Sequence, residues 1–204
     1  MIITIGRQFG SQGHDIGKEL ARKLDIGYYD KELLEIATKE GGFSSEVLEK
    51  YDEKASNSLL YSLSLGASAT ISSEYGSAPE TPVTDKLYLL EYDIIRRAAE
   101  KPCVIVGRCA DHVLSDRSDL LKVFVYADKD AKIEHIMWKY GVTAEKAKSM
   151  IKKNDKSRAN YYNNYASGKW GDPENYDLCI NRSLLGVEGS AELLIACLRL
   201  RKLL

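Results

Sequence analysis

Residues 1–15, Met-Ile-Ile-Thr-Ile-Gly-Arg-Gln-Phe-Gly-Ser-Gln-Gly-His-Asp, decide the fold of this chain. The first five are apolar apart from Thr4 and lead into Gly6, which predicts a buried strand that ends in a loop. From Ile16 to Leu24, apolar residues then recur at helical spacing. A strand, a glycine-bearing loop and a helix in direct succession predict the opening of a βαβ unit.

Strands and helices alternate along the rest of the chain. Further strands are predicted at Ile26–Tyr29, Cys103–Val106, Leu121–Ala127 and Tyr176–Ile180, and helices at Lys31–Lys39, Thr84–Glu100, from Asp128 to about Tyr140, from Thr143 to the Tyr161–Tyr165 region, and at Glu188–Leu203. This alternation predicts an α/β fold with a parallel sheet covered on both faces. Ligands of such folds gather at the carboxyl edge of the strands.

Single residues predict three helix boundaries and one insertion. Asp128 is expected to cap the helix that follows it, and Gly141 to end that helix in the left-handed conformation. Thr143 is expected to cap a long, basic helix. A helical stretch ends near Tyr51, and residues 56–82 are rich in Ser, Ala and Gly, with prolines that preclude one uninterrupted helix. We therefore expect a mobile insertion carrying some helix.

Composition argues against several classes of protein. The 29 basic and 30 acidic side chains nearly cancel, which disfavours nucleic acid or a membrane surface as partner. The four cysteines form no Cys-x-x-Cys pair, so a zinc ribbon and a dithiol redox site are disfavoured. No apolar stretch approaches the ~20 residues of a membrane span. We expect one cytoplasmic domain, whose oligomeric state stays open, with a homodimer as one alternative.

Loops at the carboxyl edge of the sheet are the strongest functional clue. Four are expected to meet there: Gly6–Gly13, Tyr29 with Asp30, Gly107–Asp111, and Asp128. Gly10 and Gly13 allow backbone amides to approach a ligand closely, and the start of the following helix carries a partial positive charge. Arg7 beside this loop adds a cation. The sequence therefore predicts an anion site.

As a local pattern, the glycine loop is ambiguous. It matches G-x-x-x-x-G-K-[ST] at only one of the four specified positions, Gly13. It matches two glycines of G-x-G-x-x-G, and Asp30 lies near the expected place of a ribose-binding acid. The glycines could also simply form a tight turn. His14 is either a phosphate donor or a surface residue, and Asp15 could merely complement the helix dipole.

Two groups of basic residues are further candidates for phosphate binding. Arg108 follows a buried strand and suits bidentate contact with a phosphate or a base carbonyl, while a surface salt bridge to Asp111 is the alternative. The basic helix carries a cluster of cations, Lys152, Lys153, Lys156 and Arg158. Like charges at this spacing repel each other, and a bound anion would reduce that repulsion. A helix face that is simply exposed to solvent would show the same pattern.

Motifs in order along nearly the whole chain resemble those of the bacterial cytidylate kinase-like proteins. They are Ile-Thr-Ile-Gly-Arg-Gln-Phe-Gly-Ser at 3–11, Tyr-Tyr-Asp-Lys-Glu-Leu at 28–33, Val-Gly-Arg-Cys-Ala-Asp at 106–111, Asp-Lys-Ser-Arg at 155–158 with Tyr161 and Tyr162, Trp-Gly-Asp-Pro at 170–173, and Tyr-Asp-Leu at 176–178. The resemblance implies a three-layer P-loop NTPase-like fold of the nucleoside monophosphate kinase superfamily, with a five-stranded parallel sheet flanked by helices. A single domain would span residues 1–204, with a helical substrate-binding insertion near 40–85 and a lid near 143–173.

The resemblance also implies ATP with Mg²⁺ as donor and a CMP-like nucleoside monophosphate as acceptor. The donor phosphates would lie on the loop residues Gly10, Ser11, Gln12, Gly13, His14 and Asp15, with Asp15 also the candidate metal ligand. The acceptor would contact Asp30, Arg108, Asp111 and Asp155. Arg158, Lys153 and Arg7 would supply positive charge to the migrating phosphoryl group.

The phosphate loop departs from that of such kinases. His14 and Asp15 replace the lysine and the metal-binding hydroxyl, and Gln12 stands where relatives usually show glycine. A second hypothesis is therefore a non-catalytic nucleotide or phosphate sensor that uses the same cleft. A third is a dinucleotide-binding oxidoreductase, favoured by the loop glycines and Asp30 and disfavoured by the basic helix and by Arg108.

Overall fold

The computed structural model describes residues 1–42 and 83–204. The helical stretch predicted to end near Tyr51 and the insertion predicted at 56–82 lie outside the described residues. Most of the substrate-binding insertion implied near 40–85 lies outside them as well.

Within the described ranges, five strands form one parallel sheet, which confirms the predicted fold class. They are β1 (Ile2–Arg7), β2 (Gly27–Tyr29), β3 (Cys103–Val106), β4 (Leu120–Tyr126) and β5 (Leu178–Asn181). Their order is β2-β3-β1-β4-β5, and every neighbouring pair is parallel. β1 lies at the centre, where Ile3 pairs with Val104 of β3 and with Leu121 of β4.

The predicted helices within the described ranges are all present, with shifted boundaries. The described α-helices are α1 (Gly13–Leu24), α2 (Glu32–Glu40), α3 (Val83–Ala98), α4 (Ala110–Val113), α5 (Lys129–Tyr140), α6 (Ala144–Tyr165) and α7 (Arg182–Leu200). Of these, the one-turn helix α4 was not predicted. α7 begins well before the predicted Glu188, because the side chain of Asn181 accepts a 3.0 Å hydrogen bond from the Ser183 N–H and caps it. It bends at Gly186, whose φ is 65°. None of these described helices combines the length and apolar character needed to cross a membrane.

The three helix boundaries predicted from single residues have different outcomes. Gly141 ends α5 with a φ of 62°, and Thr143 Oγ1 accepts from the Lys146 N–H at 3.3 Å, as predicted. Asp128 occupies the N-cap position of α5, as predicted, but its side chain does not bond to the first turn. Its carboxylate accepts from Asn181 Nδ2 at 2.9 Å instead of from the first turn of α5. Asp128 therefore links the start of α5 to the end of β5.

Helices cover both faces of the sheet and give a three-layer structure. On one face, α1 and α7 pack over Ile3 and neighbouring strand residues. On the other face, α2, α3 and α4 pack over Ile2 and Ile105. A smaller apolar cluster joins α5 to α6, and the ring of Phe9 from the glycine loop packs against it. The strands are thus buried on both sides, as parallel strands usually are.

The covering role of α7 can be tested with a pair of leucines on that helix. Leu194 is 0% exposed, whereas Leu184 is 79% exposed. We expect Leu194→Ala to lower the free energy of unfolding by roughly 2–5 kcal/mol, because it leaves a cavity in the core. Leu184→Ala is the matched control and should change it by less than about 0.5 kcal/mol. Urea unfolding measures both, and equal losses would contradict the packing of α7.

Candidate functional site

A cleft of about 1000 Å³ opens at the carboxyl edge of the sheet. The glycine loop after β1 and the loops after β2 and β3 line it, together with parts of α5 and α6. Its ionisable residues are Arg7, His14, Asp15, Asp30, Lys31, Arg108, Cys109, Asp111, His135, Lys139, Tyr140, Arg158, Tyr161, Tyr162 and Tyr176. Three of the four loops predicted to converge therefore do so. The fourth, at Asp128, does not line the cleft because its side chain binds Asn181.

The glycine loop turns sharply into α1. Gly10 has a φ of 83° and Gln12 a φ of 59°, so two loop residues adopt the left-handed conformation. Ser11 is fully buried, and its hydroxyl donates to the Gln8 carbonyl at 2.8 Å. The Ser11 side chain thus stabilises the turn and does not line the cleft. The first-turn amides of α1, beginning at Gly13, have no intrahelical acceptor and form the anion-binding end of the helix.

His14 is held by its neighbours through one ring nitrogen. Its Nδ1 lies 2.6 Å from Asp30 Oδ2 and 2.8 Å from the Tyr28 hydroxyl. An ionised carboxylate can only accept, so Asp30 favours the tautomer with the proton on Nδ1. The His14 side chain remains 38% exposed and lines the cleft. The imidazole is therefore a positioned group of the cleft and not an incidental surface residue.

Arg7 binds Asp30 and packs closely against two glycines of the site. Its Nη2 lies 3.2 Å from Asp30 Oδ1, so both oxygens of Asp30 are engaged. A Cβ at Gly107, whose φ is 80°, would collide with the Arg7 guanidinium. A Cβ at Gly13 would lie 2.7 Å from Arg7 Cβ. Packing on the Arg7 Cβ thus requires glycine at position 13, whereas at position 107 the positive φ favours glycine, because the guanidinium end of Arg7 could move aside.

Arg158 reaches the same site from α6. Its Nη1 donates to the Arg7 carbonyl at 2.9 Å, and its guanidinium lies 5.7 Å from the centre of the Phe9 ring. Burial and the neighbouring charge of Arg7 lower the pKa of Arg158 to about 9. A guanidinium in such surroundings still carries its charge at neutral pH. An anion placed between the two arginines would therefore stabilise both.

Arg108 follows the carboxyl end of β3 in a strained backbone segment. Gly107, Arg108 and Cys109 follow one another with φ values of 80°, 57° and 52°. Arg108 Nη1 lies 3.3 Å from Glu91 Oε1, and Glu91 is 0% exposed. This contact is an ion pair without hydrogen-bond alignment, whereas Tyr161 donates to the other Glu91 oxygen at 2.6 Å. Among the described residues, Arg108 thus forms an ion pair with Glu91, and none with Asp111, the alternative considered from sequence.

Asp111 is a buried carboxylate at the end of the cleft near α6. It is 8% exposed, and Oδ2 accepts from the Tyr162 hydroxyl at 2.7 Å. Burial raises the pKa of Asp111 above its ordinary range, with the Tyr162 hydrogen bond opposing that shift. Asp111, Tyr162 and Tyr176 all line the cleft. This end of the cleft can accept hydrogen bonds from a bound molecule within aromatic walls.

Two residues predicted from sequence do not lie where their roles require. Asp155 does not line the cleft, because its Oδ1 accepts the Phe9 N–H at 2.6 Å behind the glycine loop. Lys153 is exposed on α6 and does not line the cleft either. The structure does bring Gly10, Arg108 and Arg158 into one cleft, as the sequence predicted. Their roles in binding or catalysis remain predictions.

Sequence reasoning missed several residues that shape the site. They are Tyr28, Glu91, Lys132, Tyr161 and Tyr162. Tyr28 contacts His14, Lys132 donates to Gln8, and Tyr162 donates to Asp111. Glu91 pairs with Arg108 and accepts from Tyr161. Tyr161 and Tyr162 belong to a quoted motif, which was a usable signal. Glu91 and Lys132 lie in ordinary amphipathic helices, and nothing local distinguishes them from solvated charges.

Asp15 is the carboxylate of the cleft best placed for a metal ion. Its Oδ2 accepts from Gln12 Nε2 at 3.3 Å, and it lies in the first turn of α1. Within the described ranges, no group of three or more His, Cys, Asp or Glu could hold a metal by itself. Mg²⁺ at nucleotide sites is typically bound by one or two carboxylates, waters and the phosphates. The residues present therefore fit a Mg²⁺ ion that arrives with a nucleotide.

The buried charge of Asp111 can be tested through stability. Because its pKa is raised, the folded protein binds this proton more tightly than the unfolded chain. This residue therefore makes wild-type stability fall as the pH rises above the ordinary Asp pKa. Asp111→Asn, which can still accept from Tyr162, should lose that contribution and unfold at higher urea than wild type at pH 7.

Urea unfolding between about pH 4 and pH 8 measures this difference directly. Asp93→Asn, which changes an exposed carboxylate of α3, is the matched control and should track wild type. If the stability difference between Asp111→Asn and wild type does not grow with pH, burial of the Asp111 charge is refuted.

Comparison with known proteins agrees with this geometry. Residues 2–184 match the cytidylate kinase-like family. A search of the curated proteins found no match. The crystal structure of an uncharacterized protein from Eubacterium ventriosum ATCC 27560 is 31% identical with a TM-score of 0.71, covering 98% of each chain.

More distant structures share the fold. A shikimate kinase from Bacteroides thetaiotaomicron is 15% identical with a TM-score of 0.56, covering 98% of each chain. A shikimate kinase from Acinetobacter baumannii, solved with shikimate, is 12% identical with a TM-score of 0.53, covering 100% of this chain and 94% of that one. The family match spans β1 to the start of α7 and includes all three loops that line the cleft. The chain therefore belongs to the cytidylate kinase-like family.

Proposed function

We propose that this protein is a phosphotransferase that moves the terminal phosphoryl group of ATP to a nucleoside monophosphate, with a pyrimidine nucleotide such as CMP as acceptor. One observation carries the proposal: Arg7, Arg108 and Arg158 lie with the glycine loop in a single cleft. Family membership supports a kinase-type reaction. The choice of a pyrimidine acceptor follows from the resemblance to the cytidylate kinase-like family.

The cation content of the cleft suits a polyphosphate. Arg7 and Arg158 are joined by a hydrogen bond at the Arg7 carbonyl, and Arg7 lowers the pKa of Arg158. Bringing such cations together in a partly buried place costs free energy, which a bound anion offsets. The donor phosphates would lie on residues 10–15, where the first-turn amides of α1 point at them.

The acceptor would occupy the end of the cleft near Arg108 and Asp111. The arginine can hold the acceptor phosphate, while the buried carboxylate can accept from an amino group of the base. A phosphate oxygen of the acceptor attacks the terminal phosphorus of ATP, the bond to the bridging oxygen breaks, and ADP leaves. The acceptor phosphate is already ionised at neutral pH, so no catalytic base is required.

Charge stabilisation during transfer would come mainly from arginine. His14 replaces the usual lysine, and Arg7 and Arg158 lie on the same cleft. Asp15 would hold Mg²⁺ that enters with the nucleotide, and such an ion neutralises charge on the phosphates. The side chains and loop amides of the protein would themselves orient the phosphates, and the residues around Arg158 would exclude water from them.

A non-catalytic nucleotide sensor is the second candidate, and the His14 contacts favour it. An imidazole stands in place of the usual lysine, and its Nδ1 is engaged by Asp30 and Tyr28, so the position offers no ammonium group to a phosphate. Such a site could bind phosphates without accelerating transfer. A dinucleotide-binding oxidoreductase is disfavoured, since both oxygens of Asp30 are engaged by Arg7 and His14 and are poorly placed for a ribose.

Arginine variants test the proposal. We expect ATP with Mg²⁺, and separately CMP, to raise the melting temperature of the wild type. Arg158→Gln should lower ADP formation by on the order of a thousandfold, because it removes charge at the migrating group. Arg108→Gln should mainly weaken CMP binding. Arg22→Gln, an exposed arginine of α1, is the matched control.

A coupled assay for ADP and a thermal-shift measurement together distinguish the three candidate functions. Stabilisation by ATP and CMP with ADP release supports the kinase. Stabilisation without ADP release favours the sensor, and stabilisation by NADH alone favours the oxidoreductase. A wild type that none of these nucleotides stabilises would refute nucleotide binding.

Restoring the two residues typical of kinases separates the two leading candidates further. The double variant His14→Lys with Asp15→Ser reintroduces a permanent cation and a metal-binding hydroxyl. If the wild type is a sensor, the double variant should gain ADP release over a wild type that has none. If the wild type is a kinase that uses arginines, its activity should already be measurable and rise less than about tenfold. ATP consumption in single-turnover conditions measures this change.

A further inference from the structure

The first half of the glycine loop is held from behind by α5 and α6. Each of residues 7–10 contacts one of these helices: Arg7 through its carbonyl with Arg158, Gln8 through its side chain with Lys132, Phe9 through its amide with Asp155, and Gly10 by packing on Lys132. Three of the four contacts are hydrogen bonds. Residues 7–10 line the cleft, whereas their partners Lys132 and Asp155 do not.

Asp155 makes the shortest of these hydrogen bonds. Its Oδ1 lies 2.6 Å from the Phe9 nitrogen, and its Oδ2 lies 3.9 Å from Lys132 Nζ. The side chain of Asp155 is 19% exposed and does not line the cleft. A hydrogen bond from a backbone amide to a partly buried carboxylate is strong and constrains the direction of the N–H group. The direction of the Phe9 amide is thus set by α6.

Lys132 fixes the neighbouring residue. Its Nζ donates to Gln8 Oε1 at 2.8 Å, and its side chain is 11% exposed. A Cβ at Gly10 would lie 3.1 Å from the Lys132 carbonyl, so the loop backbone packs closely on α5. Gln8 occupies the place of the first glycine in G-x-x-x-x-G-K-[ST]. Its side chain is therefore used to attach the loop to α5.

We propose that Asp155 and Lys132 are positioning residues that hold the glycine loop in the shape that binds polyphosphate, without touching the ligand. The inference rests on the proposed function, because it assumes that residues 10–15 bind nucleotide phosphates. Loss of the Asp155 carboxylate leaves the Phe9 amide without its partner and lets the loop backbone rotate. The amides that follow then lose their common direction, and affinity for the phosphates falls.

Four variants and two controls test the proposal. Asp155→Asn keeps an acceptor for the Phe9 amide and removes the charge, whereas Asp155→Ala removes both. Lys132→Met keeps the aliphatic stem of the lysine. The double variant Asp155→Asn with Lys132→Met tests whether the two act together. Glu145→Gln and Lys129→Met make the same changes at exposed positions of α6 and α5.

Calorimetric titration with ADP and with inorganic pyrophosphate gives the first readout. We expect Asp155→Ala to weaken both by at least about tenfold, and Asp155→Asn and Lys132→Met each by several-fold. The two single effects should not add in the double variant, because both act on one loop conformation. The controls should bind like wild type. Affinities of Asp155→Ala and Lys132→Met within about twofold of wild type would overturn the proposal.

The amide spectrum of ¹⁵N-labelled protein without nucleotide gives the second readout, which does not depend on binding. The Phe9 amide proton should move upfield in Asp155→Asn, and the amides of Gly10 and Gly13 should shift in both single variants. If the wild type binds neither ADP nor pyrophosphate, the proposed function fails while this readout still decides the loop. Unchanged loop amides in both variants would overturn the positioning role, even if Asp155→Ala proved too unstable to study.

Discussion

The burial of β1 on both faces of a parallel sheet is the constraint on which the rest of the structure depends. Ile2, Ile3 and Ile5 are fully buried, and β1 pairs with β3 on one side and β4 on the other. Because these neighbours run parallel, their carboxyl ends reach the same edge. The chain must leave that edge through loops whose polar groups the sheet cannot satisfy. Helix ends, arginines and buried carboxylates supply the missing partners.

Patterns in the sequence predicted the fold well where a short segment determines its own structure. Cys103–Val106 is β-branched and bounded by a proline and a glycine, and the strand has those bounds. Gly141 ends α5 because glycine adopts the left-handed conformation at low cost. Asp128 shows the limit of local reasoning. A favourable cap residue was available, but tertiary structure brought Asn181 within reach of its carboxylate.

The site was predictable only in part, for the same reason. Arg108 and Arg158 could be placed at one edge because each occurs in a recognisable motif near the end of a strand or on the basic helix. The resemblance also implied a contact between Asp155 and the acceptor, from the same motif that contains Arg158. One turn of helix nevertheless directs Asp155 behind the loop and Arg158 into the cleft. The partner of a charge depends on side-chain direction, which sequence spacing alone does not give.

The two halves of the glycine loop are stabilised by different means, and this division explains how the loop tolerates its unusual residues. Residues 7–10 are fixed by side chains of α5 and α6, so Gln8 need not be glycine. Residues 12–15 lead into α1, where helix geometry aligns the amides, and Gln12 bears the left-handed φ that glycine would adopt at less cost. Contacts with α5 and α6 and the start of α1 thus define the shape of the loop. What the replacement of lysine by His14 removes is an ammonium group at the phosphates, and Arg7 and Arg158, which line the same cleft, are cations that can replace its charge.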